Sequence, residues 1–317
     1  MKILVTGGAG FIGSHLTDYL LTEGNTVIAI DNLSLGRLNN ISEAQKSSKF
    51  KFIKEDLLNY SALNEIFKTE WFDIVFHMAA NSDIAQSHAN PGIDFDNTFM
   101  TTCNVLKAMK ENDVKKIIFA STSAIYGDTK GAIMDENYGP LLPTSHYGAS
   151  KLASEGFIAS FAENYGIQAW ITRFPNVVGE RATHGVIWDF IRKLKKNSSE
   201  LKVLGNGEQI KPYLYVKDLV EAILFIWKNT DEKINFYNIG VESRTKVKEI
   251  AQMVIEEMKM DAKILYTGGD RGWIGDVPEF NYDLSKIHAL GWSAQISSNE
   301  AVRKSIQYIL ENDLCNL

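Results

Sequence analysis

Short apolar runs alternate with segments of helical period through the first half of the chain. The runs at residues 2–6, 26–31, 51–54, 74–78, 116–121 and 168–174 have the length of buried strands. Between them, 13–23, 61–68, 97–112 and 147–165 carry apolar residues at the three-and-four spacing of amphipathic helices. This β-α-β-α rhythm predicts a parallel, doubly wound α/β sheet of Rossmann type, with ligands at the carboxyl ends of its strands. After about residue 175 the rhythm breaks. Helices are expected at 186–196, 217–227, 246–258 and 300–310, strands at 201–204, 213–216 and 236–239, and a turn at Gly205-Asn206-Gly207. The expected organisation is a Rossmann domain over 1–175 and a smaller α/β lobe over 176–317, with part of 213–240 returning to the first domain.

Composition changes this picture little. A chain of 317 residues suits one large α/β domain with a dependent lobe. Cys103 and Cys315 are the only cysteines, and neither has metal-ligand spacing around it. Both are expected to be reduced thiols, and no metal site is expected. A net charge of −6 and a pI near 5.6 argue weakly against nucleic acid as a partner. The opening apolar stretch is too short for a signal-peptide core, and no later run approaches the roughly 18 apolar residues of a membrane span. The expectation is a cytoplasmic protein with no membrane partner.

Candidate chemistry begins at Val5-Thr6-Gly7-Gly8-Ala9-Gly10-Phe11-Ile12-Gly13, between the first strand and the first helix. Glycines at Gly7, Gly10 and Gly13 permit a tight turn and let backbone approach a pyrophosphate, which would rest on the positive end of the helix. Glycines that merely turn the chain would look similar. Asp31, ending the second strand, decides between the readings, because a carboxylate there takes both ribose hydroxyls and repels a 2′-phosphate. NAD is therefore expected rather than NADP.

Tyr147-Gly148-Ala149-Ser150-Lys151 sets a phenol and an ammonium on one helical face. A tyrosine acting as a base near neutrality needs its pKa of about 10 lowered by roughly 3 units, about 4 kcal/mol. A neighbouring Lys⁺ and a positive nicotinamide favour the phenolate. A surface Tyr and Lys one turn apart would show the same spacing. Upstream, the strand ending in Ser121-Thr122-Ser123-Ala124-Ile125-Tyr126 puts hydroxyls where a ligand crevice is expected, or simply terminates the strand.

Taken together, the glycine turn, Asp31-Asn32-Leu33-Ser34, Asp56-Leu57, His77-Met78-Ala79-Ala80 and Tyr147-x-x-x-Lys151 resemble the extended short-chain dehydrogenases/reductases. The resemblance runs through nearly the whole chain with the motifs in order. It implies Thr122, Tyr147 and Lys151 as catalytic residues. It also implies an NAD site built from Gly7, Gly10, Phe11, Ile12, Gly13, Asp31, Asn32, Ser34, Asp56, Leu57, Met78, Ala79, Ala80, Asn97, Thr122, Tyr147, Lys151 and Pro175.

Within that family, the 4,6-dehydratases place Asp and Glu directly after the Thr, and the glucuronate decarboxylases keep a Glu at the second position. This chain has Ser123 and Ala124, and Ala124 cannot transfer a proton. The resemblance therefore points to the UDP-galactose (UDP-glucose) 4-epimerase branch. There Tyr147 takes the proton of the sugar's 4-hydroxyl while C4 gives up hydride, and the resulting 4-keto sugar rotates and is reduced on its other face. The substrate contacts it implies are Thr122, Tyr147, Asn176, His184, Lys211, Arg271 and Phe280. Lys211 stands where the branch has an Arg, so a bidentate contact becomes a point charge, and Arg271 offers a guanidinium instead. Either base also reads as a solvated charge, and His184 as an ordinary loop residue. Phe280 matches a gate beside the sugar that favours the unacetylated UDP-glucose and UDP-galactose over UDP-N-acetylglucosamine, but a core aromatic is equally compatible. A homodimer is expected through the helices at 97–112 and 147–165. The alternatives are another NAD-dependent reductase or dehydrogenase of a nucleotide sugar, with exchangeable cofactor, and a non-catalytic NAD-binding protein.

Overall fold

Strict alternation along each strand organises the molecule. In β1 (Lys2–Thr6), Ile3 and Val5 belong to one apolar cluster and Leu4 to another, on the opposite face of the sheet. Such two-sided burial requires helices on both faces. The computed structural model describes residues 1–82, 87, 90–272 and 277–312. In it, β1 is joined by β2 (Thr26–Asp31), β3 (Phe50–Lys54), β4 (Ile74–His77), β5 (Lys116–Ala120), β6 (Gln168–Arg173) and β7 (Ile234–Asn238). All pair in parallel, in the order β7-β6-β5-β4-β1-β2-β3. The order reverses beside β1, so the crevice lies between the carboxyl ends of β1 and β4. The seventh strand comes from the chain beyond residue 213, paired to β6 with Phe236 opposite Ile171.

Helices α1 (Phe11–Thr22), α2 (Tyr60–Glu70), α3 (Thr101–Glu111) and α4 (His146–Tyr165) follow the expected segments to within a few residues. One difference is physical. Phe95–Met100, ahead of α3, winds as a π turn, whose wider spacing the apolar period does not signal. Leu16 and Leu20 of α1 join the cluster on one face, while Leu63, Phe67, Val105, Leu106 and Ile158 from α2, α3 and α4 join the other.

Beyond β6 come α5 (Val186–Lys196), α6 (Val216–Asn229), α7 (Val247–Glu257), α8 (Ser285–Leu290) and α9 (Ser298–Glu311). Helix α6 lays Leu219, Val220, Ile223 and Ile226 on the sheet beside α1. By contrast, α5, α7 and α9 build a separate core around Trp188, Ile191, Leu201, Val203, Ile250, Val254 and Ile306. The strand Lys263–Tyr266, parallel to Glu200–Val203, and helix α8 are elements that the apolar pattern did not announce. No helix among the described residues is long and apolar enough to cross a membrane.

Candidate functional site

The glycine turn is tight for steric reasons. A Cβ on Gly13 would stand 2.2 Å from the Gly7 carbonyl oxygen, and one on Gly8 would stand 2.5 Å from the Ala29 methyl. Gly7 has φ +66° and abuts the Ala79 backbone, so it joins the ends of β1 and β4. Gly10 caps α1 without a side-chain bond, and no acidic residue occupies the first turn. The amides ahead of α1 are instead partly engaged by Asp31. Asp31 is buried, with one oxygen accepting from Leu33 N at 2.8 Å and the other from Ala9 N at 3.1 Å. Burial pushes its carboxyl above the usual range, and the backbone amides oppose that. Asn32 donates to Asp56 Oδ2 at 3.1 Å and accepts from Ser34 N at 2.9 Å, while Leu57 is buried next door. This cradle has the shape and donor set for a dinucleotide with free ribose hydroxyls.

Further along the same edge, His77 lies in the core. Its Nδ1 meets Thr6 Oγ1 at 2.7 Å and its Nε2 meets Thr102 Oγ1 at 3.0 Å, and its ring stacks on Phe119. Thr6 Oγ1 also accepts from Ala79 N at 3.3 Å, steadying the Met78-Ala79-Ala80 segment. Burial, aided by the Lys151 charge, pushes His77 down to about 3 from 6.5. The unfolded chain therefore binds an extra proton between those values. Stability is complete above about pH 6.5 and falls by about 1.4 kcal/mol per unit as pH drops toward 3. Chemical denaturation across pH 3.5–7 should show that slope, and His77→Gln should flatten it.

Three local devices bring Thr122, Tyr147 and Lys151 together. Ser145 caps α4 by accepting from Gly148 N at 3.1 Å, which puts Tyr147 in the helix's first turn. Gly148 lets α4 approach the turn after β5, because a Cβ there would stand 2.5 Å from the Ala124 carbonyl oxygen. Thr122 caps the short 3₁₀ turn Ser123–Tyr126 by accepting from Ala124 N at 3.2 Å. The Tyr147 phenol lies beside the Thr122 hydroxyl, which favours its ionised form. Lys151 is buried, donates to Ala120 O at 2.5 Å and lies 4.6 Å from the Phe119 ring centre. A surface pairing of Tyr and Lys is therefore excluded.

The electrostatics differ from the expectation of a lowered phenol. Burial pushes Tyr147 up to about 12, with the Thr122 hydroxyl opposing the rise and Asp94 adding to it. Burial pushes Lys151 down to about 7. The ammonium stands 5.9 Å from the Tyr147 ring centre and spends a proton on Ala120, so desolvation outweighs its pull on the phenol.

The remaining expected residues scatter more. Phe11 and Ile12 open α1, partly buried, and Pro175 is buried beyond β6. Asn97 donates to Ile93 O at 3.2 Å, while its neighbour Thr98 faces inward and accepts from Asn81 N at 3.1 Å. Asn176 and His184 are exposed. Lys211 is buried, opposite Thr245 on a short antiparallel pair. Arg271 donates to Asp128 Oδ2 at 2.8 Å, which brings it near the turn after Thr122. Phe280 packs with Ile125, Tyr126, Met134 and Val277. Residues 273–276, on which its register was counted, lie outside the described residues, as does Cys315.

The sequence also hid two groups. Asn81, Asp94 and Thr98 form a buried polar set, Asn81 Nδ2 donating to Asp94 Oδ1 at 2.8 Å. Arg173 binds Glu155 bidentately at 3.1 and 2.7 Å, also donating to Tyr126 Oη at 3.1 Å. Only the one-turn spacing of Lys151 and Glu155 hinted at the second, because Arg173 is a strand-end residue with no local partner.

Comparison with known proteins agrees with this geometry. Residues 3–240 match the model of the NAD dependent epimerase/dehydratase family. A putative UDP-glucose 4-epimerase of Methanocaldococcus jannaschii is 35% identical, with 98% of this chain and 99% of that protein covered. A human dTDP-D-glucose 4,6-dehydratase is 32% identical over 98% of this chain and 90% of its own. A crystal structure of a UDP-galactose 4-epimerase superposes with a TM-score of 0.88 at 36% identity, covering 98% of this chain and 99% of that one. With its seven-stranded parallel sheet, its glycine cradle and these relatives, the chain belongs to the NAD-dependent epimerase/dehydratase family, with the extended short-chain dehydrogenase/reductase fold.

Proposed function

We propose that this protein interconverts the 4-epimers of a UDP-hexose, UDP-glucose and UDP-galactose in the first instance. The observation that carries the proposal is the composition of the strand end: Thr122 beside Tyr147, followed by Ser123 and Ala124. One base and one hydroxyl suffice for oxidation and re-reduction at one carbon, whereas elimination of water needs a further acid. Ala124 has no proton to give. The 4-epimerases among the relatives support the reading, and the dehydratases among them are the alternative that Ala124 disfavours.

The residues then divide the work. Asp31 holds the adenosine ribose, and the α1 end with Gly10, Phe11 and Ile12 holds the pyrophosphate. NAD, when bound, supplies a reversible hydride acceptor and a positive charge near Tyr147. Tyr147 takes the 4-hydroxyl proton and returns it; Thr122 shares that proton; Lys151 holds the phenolate by charge. Because Tyr147 alone sits near 12, its activation belongs to the cofactor-bound state. Lys211, buried in the second lobe, is assigned to the diphosphate, with Arg271 at its rim and Asn176 and His184 toward the nucleoside. Incubation without added cofactor, with UDP-glucose and separately with UDP-N-acetylglucosamine, should convert the first to its galacto isomer. No conversion of either sinks the proposal, and conversion of the second alone reassigns the substrate and Phe280.

The chain is further proposed to work as a homodimer through α3 and α4. Phe95, in the π segment ahead of α3, and Phe157, on α4, are exposed and are linked through Phe99, at ring separations of 5.8 and 5.1 Å. Sedimentation should give a dimer, and Phe157→Glu should shift it to monomer.

A further inference from the structure

Lys151 is an amine inside the protein that burial pushes down to about 7, and its ammonium form needs a counter-charge. Among the described residues, two carboxylates act on it, Glu155 and Asp94. Glu155 is already neutralised: Arg173 grips both its oxygens, and Ser121 Oγ donates to Oε1 at 2.5 Å. Asp94 is not. It is fully buried at the turn leading into the π segment, and Asn81 Nδ2 holds its Oδ1 at 2.8 Å. Its Oδ2 is buried with no hydrogen-bond partner among the described residues. Among the described residues, the other titratable groups beside the pair cannot compensate either charge: burial pushes His77 down and holds it neutral, and Tyr147 is a phenol pushed upward.

We propose that Asp94 is the counter-charge of Lys151, a positioning residue that keeps the lysine an ammonium without touching reactants. Asn81 holds the carboxylate through Oδ1, and the turn Gly92–Asp94 that carries it packs against α4, the helix of Tyr147 and Lys151. The sequence gives no sign of this, because Asp94 precedes Tyr147 by more than fifty residues and belongs to no family motif used above. Asp94 also opposes the Tyr147 phenolate, so the same charge would discourage phenolate formation until a cation binds nearby. The account of what the pair does rests on the proposed epimerase reading; the ionic pairing itself does not.

The test separates the two. In the full-length protein, the pH dependence of Lys151 acylation, read by mass spectrometry, gives its titration without any substrate. Asp94→Asn, isosteric and able to keep the Asn81 bond, should lower that midpoint by about one unit, a tenfold change in proton affinity. The alkaline limb of the kcat profile should move down with it. An unmoved Lys151 midpoint in a folded Asp94→Asn protein overturns the inference, whatever the enzyme's substrate proves to be. Should the variant fail to fold, the unaltered protein still decides: the carboxyl carbon of Asp94 must report a charged group at pH 7 by ¹³C NMR, and a protonated Asp94 overturns the proposal equally.

Discussion

Tyr147→Phe should lower kcat on UDP-glucose by about 10²–10⁴, the usual contribution of a positioned base, while leaving KM nearly unchanged. The phenylalanine ring keeps the volume of Tyr147, so the substrate's seat is preserved. What disappears is the oxygen beside Thr122. Thr122 keeps its bond from Ala124 N, so the hydroxyl is not stranded, and the midpoint of thermal unfolding should move by no more than about 1 kcal/mol equivalent. Steady-state rates measured with the NAD content of each preparation will separate chemistry from cofactor loss. A variant retaining most of its turnover would show that another group takes the proton.

Arg173→Met should destabilise the fold by about 3–5 kcal/mol, with activity following the fraction folded. Arg173 and Glu155 are each only 5% exposed, and their contact is bidentate. Removing the guanidinium strands a buried carboxylate and frees Tyr126 Oη and Glu136 O of their donor. Asn238 Oδ1, which accepts from Tyr126 at 2.7 Å, ties the same network to β7. The loss therefore spreads across the carboxyl ends of β5, β6 and β7. Arg173→Met combined with Glu155→Leu should recover much of it, because the costly species is the lone charge. Urea midpoints of the two single variants and the double variant measure this. Equal stability of Arg173→Met and the unaltered protein would mean that solvent reaches Glu155.

Local patterning accounts for most of the elements. Strands and helices of the first half were legible because two-sided burial writes continuous apolar runs and one-sided burial writes the helical period. Lys263–Tyr266 was not legible, since its burial is partial and its alternation is interrupted. The π turn escaped for a related reason: one extra residue per turn slips the register, so Thr98 rather than Asn97 faces inward.

The site divides along the same line. The glycine turn, Asp31 and the Tyr–Lys spacing were determined by the sequence, because each is a short-range device whose geometry lies within one turn or one strand end. Asp31 in particular needed only its place at the end of β2. Tertiary structure alone decided the rest. It showed Lys151 buried over Phe119, Tyr147 raised rather than lowered, Arg271 paired with Asp128 and Phe280 packed into a core. Desolvation and ion pairing depend on which distant segments enclose a group, and Asp94 against Lys151, or Arg173 against Glu155, are contacts that no local period encodes.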